Sequence, residues 1–248
     1  MIRTAKRSSL VIETALSLKG FTLLVEGRKM LDDITLDVPK GSISLLQGAR
    51  GSGKSALLRS FIHLNEELFD RVSYTGSIKL FGEDIDSLER KSVRKRVAYV
   101  DTTFLEAMSN FTLKEFFRFL KGKRFEFEDF AESELDLFHE LDLLDLLSLK
   151  AETSLKTIPL FKRLSLLVFS TLIRHPEIII LDNILDHLDD DACTEVKNVL
   201  LDTRNGVTMI ISSRFVLRLL DISDLLIVLK NGKISYVGSP EVFVLNNR

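Results

Sequence analysis

The 248-residue chain is long enough to bury a large core and to hold one domain with an inserted subdomain. Hydrophobic residues make up 45% and charged residues 28%, an ordinary globular balance, and a formal net charge of −2 gives no electrostatic case for nucleic acid as a partner. Cys193 is the only cysteine, which excludes disulfides within the chain and points to a reducing compartment. Glu13 interrupts the apolar run Leu10 to Leu18 and no small-residue cleavage site follows, so no signal peptide is expected. No run approaches the apolar length of a membrane helix, and any membrane role is expected to come through a partner.

In chain order, the alternation from Leu10 to Val38 predicts strands at Thr22 to Val25 and Met30 to Leu36, split by the turn Glu26-Gly27-Arg28. A second turn, Pro39-Lys40-Gly41, feeds a strand from Ile43 to Gln47. Gly48-Ala49-Arg50-Gly51-Ser52-Gly53-Lys54-Ser55 then fits G-x-x-x-x-G-K-S/T, ahead of a helix predicted from Ala56 to Leu64. A loop between a strand and a helix N-terminus turns backbone N–H groups inward, where the helix dipole adds positive potential. Gly48, Gly51 and Gly53 permit the backbone angles of such a cradle. Lys54 is expected to reach the β- and γ-phosphates and the Ser55 hydroxyl to ligate Mg²⁺, while Arg50 is read as solvated. The chain therefore binds a nucleoside triphosphate or descends from one that did.

Gly76 to Gly82 and Val97 to Val100 read as further strands. From about Phe104 the texture turns helical, with one helix from Thr112 to Leu120 and another opening at Ser133-Glu134-Leu135-Asp136 and continuing through Leu137, Phe138, Leu141 and Leu144. The acidic residues Glu132, Glu134, Asp136, Glu140, Asp142 and Asp145 read as a solvated face, since no histidine–carboxylate spacing repeats. The basic group Arg90, Lys91, Arg94, Lys95 and Arg96 reads the same way. A helix from Leu164 to Arg174 ends at Pro176. Ile178-Ile179-Ile180-Leu181 then reads as a central parallel strand that delivers Asp182 at its carboxyl end, where a carboxylate supports the metal of a phosphate-loop site. Val207 to Ile211 is another buried strand, and Leu225 to Leu229 and Ile234 to Val237 flank the hairpin signal Asn231-Gly232, followed by a short amphipathic tail. No internal repeat or low-complexity segment is present.

This order resembles the ATP-binding subunit of ABC transporters over nearly the whole chain. Leu31 to Leu36 with Pro39-Lys40-Gly41 looks like the family's entry to the phosphate loop, Arg174-His175-Pro176-Glu177 like its approach to the second motif, Leu188-Asp189 like the end of its D-loop, and Gly238-Ser239-Pro240 like its closing segment. The resemblance implies an α/β P-loop NTPase core of ABC type with an antiparallel β subdomain, spanning residues 1–103 and 164–248, and an inserted helical subdomain at 104–163. Leu64-Asn65-Glu66-Glu67-Leu68, with Gly76 and Gly82-Glu83-Asp84-Ile85, looks most like the phosphate-importer ATPase. The implied cofactors are ATP and Mg²⁺. The implied partners are ABC membrane-domain subunits and a second ATP-binding subunit, as homodimer or heterodimer, on the inner face of the cell membrane.

Other family motifs do not carry over. The Q-loop glutamine falls near Thr102, the signature on Ile158-Pro159-Leu160-Phe161-Lys162, the catalytic glutamate on Asn183 and the switch histidine on Arg214. The aromatic residue that stacks on adenine falls near Val25, with Phe21 the only aromatic close by in that segment. Asn183 cannot accept a proton, and a positioned general base is typically worth about 10²–10⁴-fold in rate. Arg214 offers a cation where the histidine would contact the γ-phosphate. His187, beside Asp186 and Asp189, reads as a surface-loop histidine. Retained loop and lost catalysis imply binding with impaired turnover. A divergent working ATPase, a non-catalytic regulatory or structural subunit, and a soluble ABC protein of DNA repair stay open, the last disfavoured because no long heptad insertion is present.

Overall fold

A computed structural model of the protein describes residues 13–204 and 206–246. The start of the apolar run at Leu10, which also opens the alternating stretch, and the outer ends of the core segments 1–103 and 164–248 lie outside them. Strands β1 (Thr14–Val25) and β2 (Arg28–Pro39) form an antiparallel hairpin with Val25 opposite Arg28. Glu26 and Gly27 take φ of 48° and 75°, matching the twist of a two-residue hairpin loop. Both strands run longer than predicted, because buried apolar residues recur along their whole length. Strand β3 (Ile43–Gln47) has the predicted bounds. Helix α1 (Lys54–Ser60) starts two residues before Ala56 and does not reach Leu64. His63, at φ 54°, breaks the helical path, and the short α2 (Asn65–Leu68) follows separately. Strand β4 (Val72–Leu80) passes through Gly76, where a Cβ would sit 2.6 Å from the Lys19 carbonyl oxygen, so only glycine lets β1 and β4 approach there.

Strand β5 (Glu83–Asp84) pairs with β4, and α3 (Arg90–Arg96) leads into β6 (Val97–Asp101). The basic group on α3 is less solvated than its sequence suggests. Arg94 pairs with Glu67 at 2.8 Å, and Arg96 bridges Glu83 at 2.9 Å and Glu177 at 2.6 Å. Three helices follow: α4 (Thr103–Met108), α5 (Leu113–Lys121) and α6 (Glu132–Glu140). A reciprocal box fixes the start of α5, with the Glu115 N–H donating to Thr112 Oγ1 at 3.2 Å and the Thr112 N–H to Glu115 Oε2 at 2.8 Å. Helix α6 opens at Glu132 rather than Ser133, because the Glu134 carboxylate accepts from the Ala131 N–H at 2.9 Å. It stops at Glu140, since Asp142 takes φ 52°, and Leu144 belongs to a separate 3₁₀ turn. Helix α7 (Leu160–Leu172) starts four residues before the predicted Leu164, directly after Pro159. Phe117, Phe138 and Phe169 lock α5, α6 and α7 together, with ring centroids 4.6 Å apart for Phe138–Phe169 and 5.7 Å for Phe117–Phe138.

Strand β7 (Ile178–Asp182) ends in Asp182 as expected. Helix α8 (Asp190–Thr203) is capped by Asp189, whose Oδ1 accepts from the Ala192 N–H at 2.9 Å. Strand β8 (Thr208–Ser213) precedes the hairpin of β9 (Leu225–Lys230) and β10 (Lys233–Gly238), turned at Asn231 and Gly232, and α9 (Pro240–Asn246) closes the described chain. Two sheets result, an antiparallel one in the order β2-β1-β4-β5 and a six-stranded one in the order β10-β9-β3-β8-β7-β6. The second is parallel from β9 to β6, with β10 antiparallel at its edge. Its two faces alternate residue by residue. Ile179 and Leu181 face the helical side, while Ile178 and Ile180 face the antiparallel sheet and α1. Burial on both faces explains why β7 reads as an unbroken apolar run. The loops after β3, β6, β7 and β8 converge at one edge, the carboxyl ends of the parallel strands, where open α/β sheets place their ligands.

Candidate functional site

That edge holds a cavity of about 510 Å³, within the range of small-molecule sites. Arg50, Gly51, Ser52, Gly53, Lys54 and Ser55 line it, together with Ala56 and Arg59 of α1, Thr102 after β6, Asn183 after β7, His187, and Arg214 after β8. Neither the buried Gly48 nor the exposed Ala49 lines the cavity. A Cβ on Gly48 would lie 2.5 Å from the Leu229 carbonyl oxygen, and one on Gly53 (φ 106°) 2.9 Å from that of Met30. The loop thus packs on β9 and the start of β2 so closely that it tolerates no side chain at either point. Lys54 is buried, its Nζ donating to the carbonyls of Gly48 at 2.6 Å and Ala49 at 3.2 Å. Burial lowers its pKa, opposed by the nearby Asp182 and Asp186 carboxylates.

Behind the cavity two strands end in neighbouring aspartates, since Asp101 of β6 and Asp182 of β7 are register partners. Two buried like charges need compensation. Arg59 donates to Asp101 Oδ2 at 2.7 Å, and the Tyr99 hydroxyl lies 2.8 Å from Asp101 Oδ2 and 3.1 Å from Asp182 Oδ2. Burial, then the charges of Asp182 and Asp101, push the Tyr99 phenol well above its usual range, so it stays a protonated bridge. Burial acts against the Asp101 carboxylate, but hydrogen bonds from Thr103, Arg59 and Tyr99 hold its pKa below the usual value. Burial likewise opposes the charge on Arg59, yet its bonds to Asp101 and Tyr99 raise its pKa.

Asp182 itself is buried and does not line the cavity. Its Oδ1 accepts from Ser212 Oγ at 2.5 Å and from Asn183 Nδ2 at 2.8 Å. Asn183 stands at φ 57°, a left-handed conformation that asparagine tolerates better than most residues, and its N–H donates to Ser212 Oγ at 3.0 Å. One turn away, Asp186 accepts from Ser213 Oγ at 2.5 Å and from both the backbone N–H and Nε of Arg214 at 3.1 Å. Arg214 is therefore anchored while still lining the cavity. His187 is exposed, as read from sequence, but it closes a 3₁₀ turn (Leu185–His187) rather than lying in a loop, and it also faces this cavity.

The cradle fits a triphosphate, with two positions, Gly48 and Gly53, where no side chain fits and a buried lysine beside them. For a divalent cation, Ser55 lines the cavity and its hydroxyl makes no hydrogen bond to a described residue, while Asp182 Oδ2 meets only the shared Tyr99 hydroxyl. This donor set fits a hydrated Mg²⁺ held by Ser55, with Asp182 supporting its water shell.

Residues 158–162 do not reach this cavity. Lys162 is buried instead, donating to Asp145 Oδ1 at 2.5 Å and to the Asp142 carbonyl at 2.8 Å, while Leu160 is exposed at the start of α7. Phe21 lies in the core against Tyr74, with centroids 5.5 Å apart, so the aromatic named beside Val25 does not face the site. Sequence reading missed Arg59, Tyr99, Asp101 and Phe69. Two signals were available: Arg59 sits four residues after Ser55 on the same helix face, and β6 ends in an aspartate just as β7 does.

The family model described as ABC transporter matches residues 31–186. The chain is 26% identical over 225 residues to the xylose import ATP-binding protein XylG of Geobacillus kaustophilus, covering 88% of this chain and 43% of that protein's length. It is 25% identical over 222 residues to the phosphate import ATP-binding protein PstB of Pyrobaculum aerophilum, covering 87% of each. Among solved structures, that of cbiO1 from Clostridium perfringens, described as part of the ABC transporter complex cbiONQ, superposes with a TM-score of 0.74 at 18% identity over 94% of this chain and 92% of that one, a likeness of fold.

Proposed function

The chain belongs to the ABC transporter family, and from that premise we propose that it is an ATP-binding subunit that holds Mg-ATP and hydrolyses it poorly on its own. The observation that carries this reading is the pairing of an intact phosphate cradle around a buried Lys54 with an amide, Asn183, spent on Asp182 where a base would act. In this scheme the backbone of Gly48 to Ser55 and the Lys54 ammonium bind the phosphates. Ser55 would hold a Mg²⁺, with the buried Asp182 supporting its water shell, and the ion would supply charge neutralisation at the phosphates. Arg214 contributes a fixed cation beside the γ-phosphate. Asn183 carries no basic site and its Nδ2–H is already donated, so an attacking water finds no proton acceptor there.

Residues 104–163 act as the inserted helical part and the remainder as the nucleotide-binding core. The subunit assembles with ABC membrane-domain subunits at the inner face of the membrane and pairs with a second ATP-binding subunit, identical or related. The described residues include no helix long and apolar enough to cross a membrane, consistent with attachment through partners. Similarity to PstB and the Leu64–Leu68 spacer support phosphate as the cargo. In a composite dimer the surface at Ile158 to Lys162 faces the partner's phosphate loop. The exposed Leu160 and the internally paired Lys162 give it no glycine backbone to close on a γ-phosphate.

A non-catalytic regulatory subunit is the second reading, favoured by the hydrogen bonds that Asp182 Oδ1 and both Asp186 carboxylate oxygens already accept within the chain. Calorimetric titration of Mg-ATP into the native chain and into Lys54→Ala tests the proposal. Tight binding lost in the variant is expected; equal affinities, or no binding to the native chain, would overturn it.

A further inference from the structure

A second cavity, of about 520 Å³, is lined by Lys95, Leu120, Lys121, Glu134, Ile173 and Arg174. Lys95 comes just before β6 and Arg174 shortly before β7, so the cavity lies at the amino ends of these strands, away from the phosphate loop. Each strand is five residues long, which separates the two cavities by roughly 15 Å. Three cations meet one carboxylate here, and they are unequally engaged. Lys121 is bonded to Glu134, and its Nζ lies 5.2 Å and 5.4 Å from the ring centroids of Phe125 and Phe130. Of its N–H donors, Arg174 uses one on Nη2, which reaches the Arg94 carbonyl at 2.5 Å. No described carboxylate pairs with Arg174, and burial lowers its pKa. Lys95 Nζ makes no hydrogen bond or ion pair to a described residue, whereas its neighbours Arg94 and Arg96 are both paired. Helices α3, α5 and α7 end at this cavity, and such ends favour a nearby cation. That effect explains why positive charge collects here, but it leaves the free donors of Lys95 and Arg174 without an acceptor.

We propose that this cavity is a second anion site, separate from the phosphate loop, that takes a phosphomonoester group carried by a small soluble molecule or by a lipid headgroup. The lining leaves two net positive charges, and a phosphomonoester carries close to two negative ones at pH 7. The Arg174 guanidinium presents a planar fork that matches two phosphate oxygens, and the Lys95 ammonium is a compact charge able to turn toward a third. Neither has to give up an ion pair to do so. The cavity is larger than a bare phosphate needs and falls in the range of small-molecule sites. Leu120 and Ile173 offer apolar contact to the rest of such a molecule. Glu134 Oε1 accepts from no described residue, since the bonds from Lys121 and the Ala131 N–H both go to Oε2, so it is open to a hydroxyl of the ligand. A phosphate seated here also joins α3 and the end of α7 to α5 and α6.

The test is calorimetric titration of the full chain with glycerol 3-phosphate in low-salt buffer free of phosphate and Mg²⁺, with glycerol as the uncharged control. Lys54→Ala serves as the background, so that the phosphate loop does not contribute. Glycerol 3-phosphate, but not glycerol, is expected to bind this chain, and adding Lys95→Gln or Arg174→Gln is expected to weaken binding about 10-fold, the scale of one charge-assisted hydrogen bond. Lys95→Gln removes no contact with a described residue, so that arm is free of a folding defect. Flotation with vesicles of phosphatidylcholine, with and without phosphatidic acid, separates the two sources. Lys95-dependent flotation with the phosphatidic acid vesicles, in the absence of glycerol 3-phosphate binding, assigns the phosphate to a lipid headgroup. Binding of neither probe to the Lys54→Ala chain, or affinities that both added substitutions leave unchanged, overturns the second site. Neither result bears on the phosphate loop, which ATP titration of the native chain tests separately.

Discussion

Replacing Asn183 by Glu restores a carboxylate where the family's base is placed, yet the structure argues that it weakens the fold without creating an efficient ATPase. Asn183 Nδ2 donates to the buried Asp182 Oδ1 at 2.8 Å, and a hydrogen bond to a charged acceptor contributes roughly 1.5–3 kcal/mol. The residue stands at φ 57°, where losing asparagine adds about 1 kcal/mol. The new carboxylate also faces Asp182, which already neighbours Asp101 in register. Together these lower stability by about 3 kcal/mol, a fall in melting temperature of about 6–12 °C for a chain of this length. Turnover gains little, because in-line attack also needs an oriented water and charge stabilisation from several directions. Thr102, Arg214 and residues 158–162 remain as they are, and groups acting as a unit are strongly non-additive. The assay is thermal melting together with steady-state phosphate release, with Lys54→Ala as the background. An unchanged melting temperature would refute the role given to the amide. A large Lys54-dependent rate would show that the other positions are functional and wrongly aligned.

Arg59→Met leaves Asp101 as an uncompensated buried charge beside Asp182. A loss of about 3–5 kcal/mol is expected in denaturant titration, with much of it recovered in the double variant Arg59→Met/Asp101→Asn. His63 is buried with Nδ1 3.6 Å from Glu66 Oε1, an interaction that raises its pKa above the ordinary 6.5. Its contribution to stability is therefore full below pH 6.5 and lost as pH rises through the raised value. Glu66 is held below 4.5, burial notwithstanding, by the same partner, so its own contribution is lost only as pH falls below that range. Melting temperature is expected to fall between pH 6 and pH 8 by a few degrees at most in the native chain and by less in His63→Gln, measured by calorimetric scans.

The parts legible in the sequence were those whose physics is local. The loop is fixed by the spacing of Gly48, Gly53, Lys54 and Ser55, β7 by its unbroken β-branched run, and the closing hairpin by Asn231-Gly232. Positive-φ residues without glycine hid the breaks at His63 and Asp142, so α1 and α6 were drawn too long. The Arg59–Tyr99–Asp101–Asp182 cluster joins residues more than 80 positions apart at its extremes, and strand register, not local pattern, assembles it. Phe69 reaches the cavity in the same long-range way, since the Glu26–Arg71 clamp holds its segment to the β1–β2 turn and no pattern local to Val25 announces it.

The central claim, binding with impaired turnover, is tested most directly by phosphate release from saturating Mg-ATP, measured on a preparation whose ATP occupancy is verified by the same titration. The account expects a filled site whose release rate is close to that of Lys54→Ala. In a reconstituted complex with an intact second subunit, turnover should then disappear when that subunit's catalytic glutamate is removed. Rapid, Lys54-dependent release by this chain alone would contradict the account.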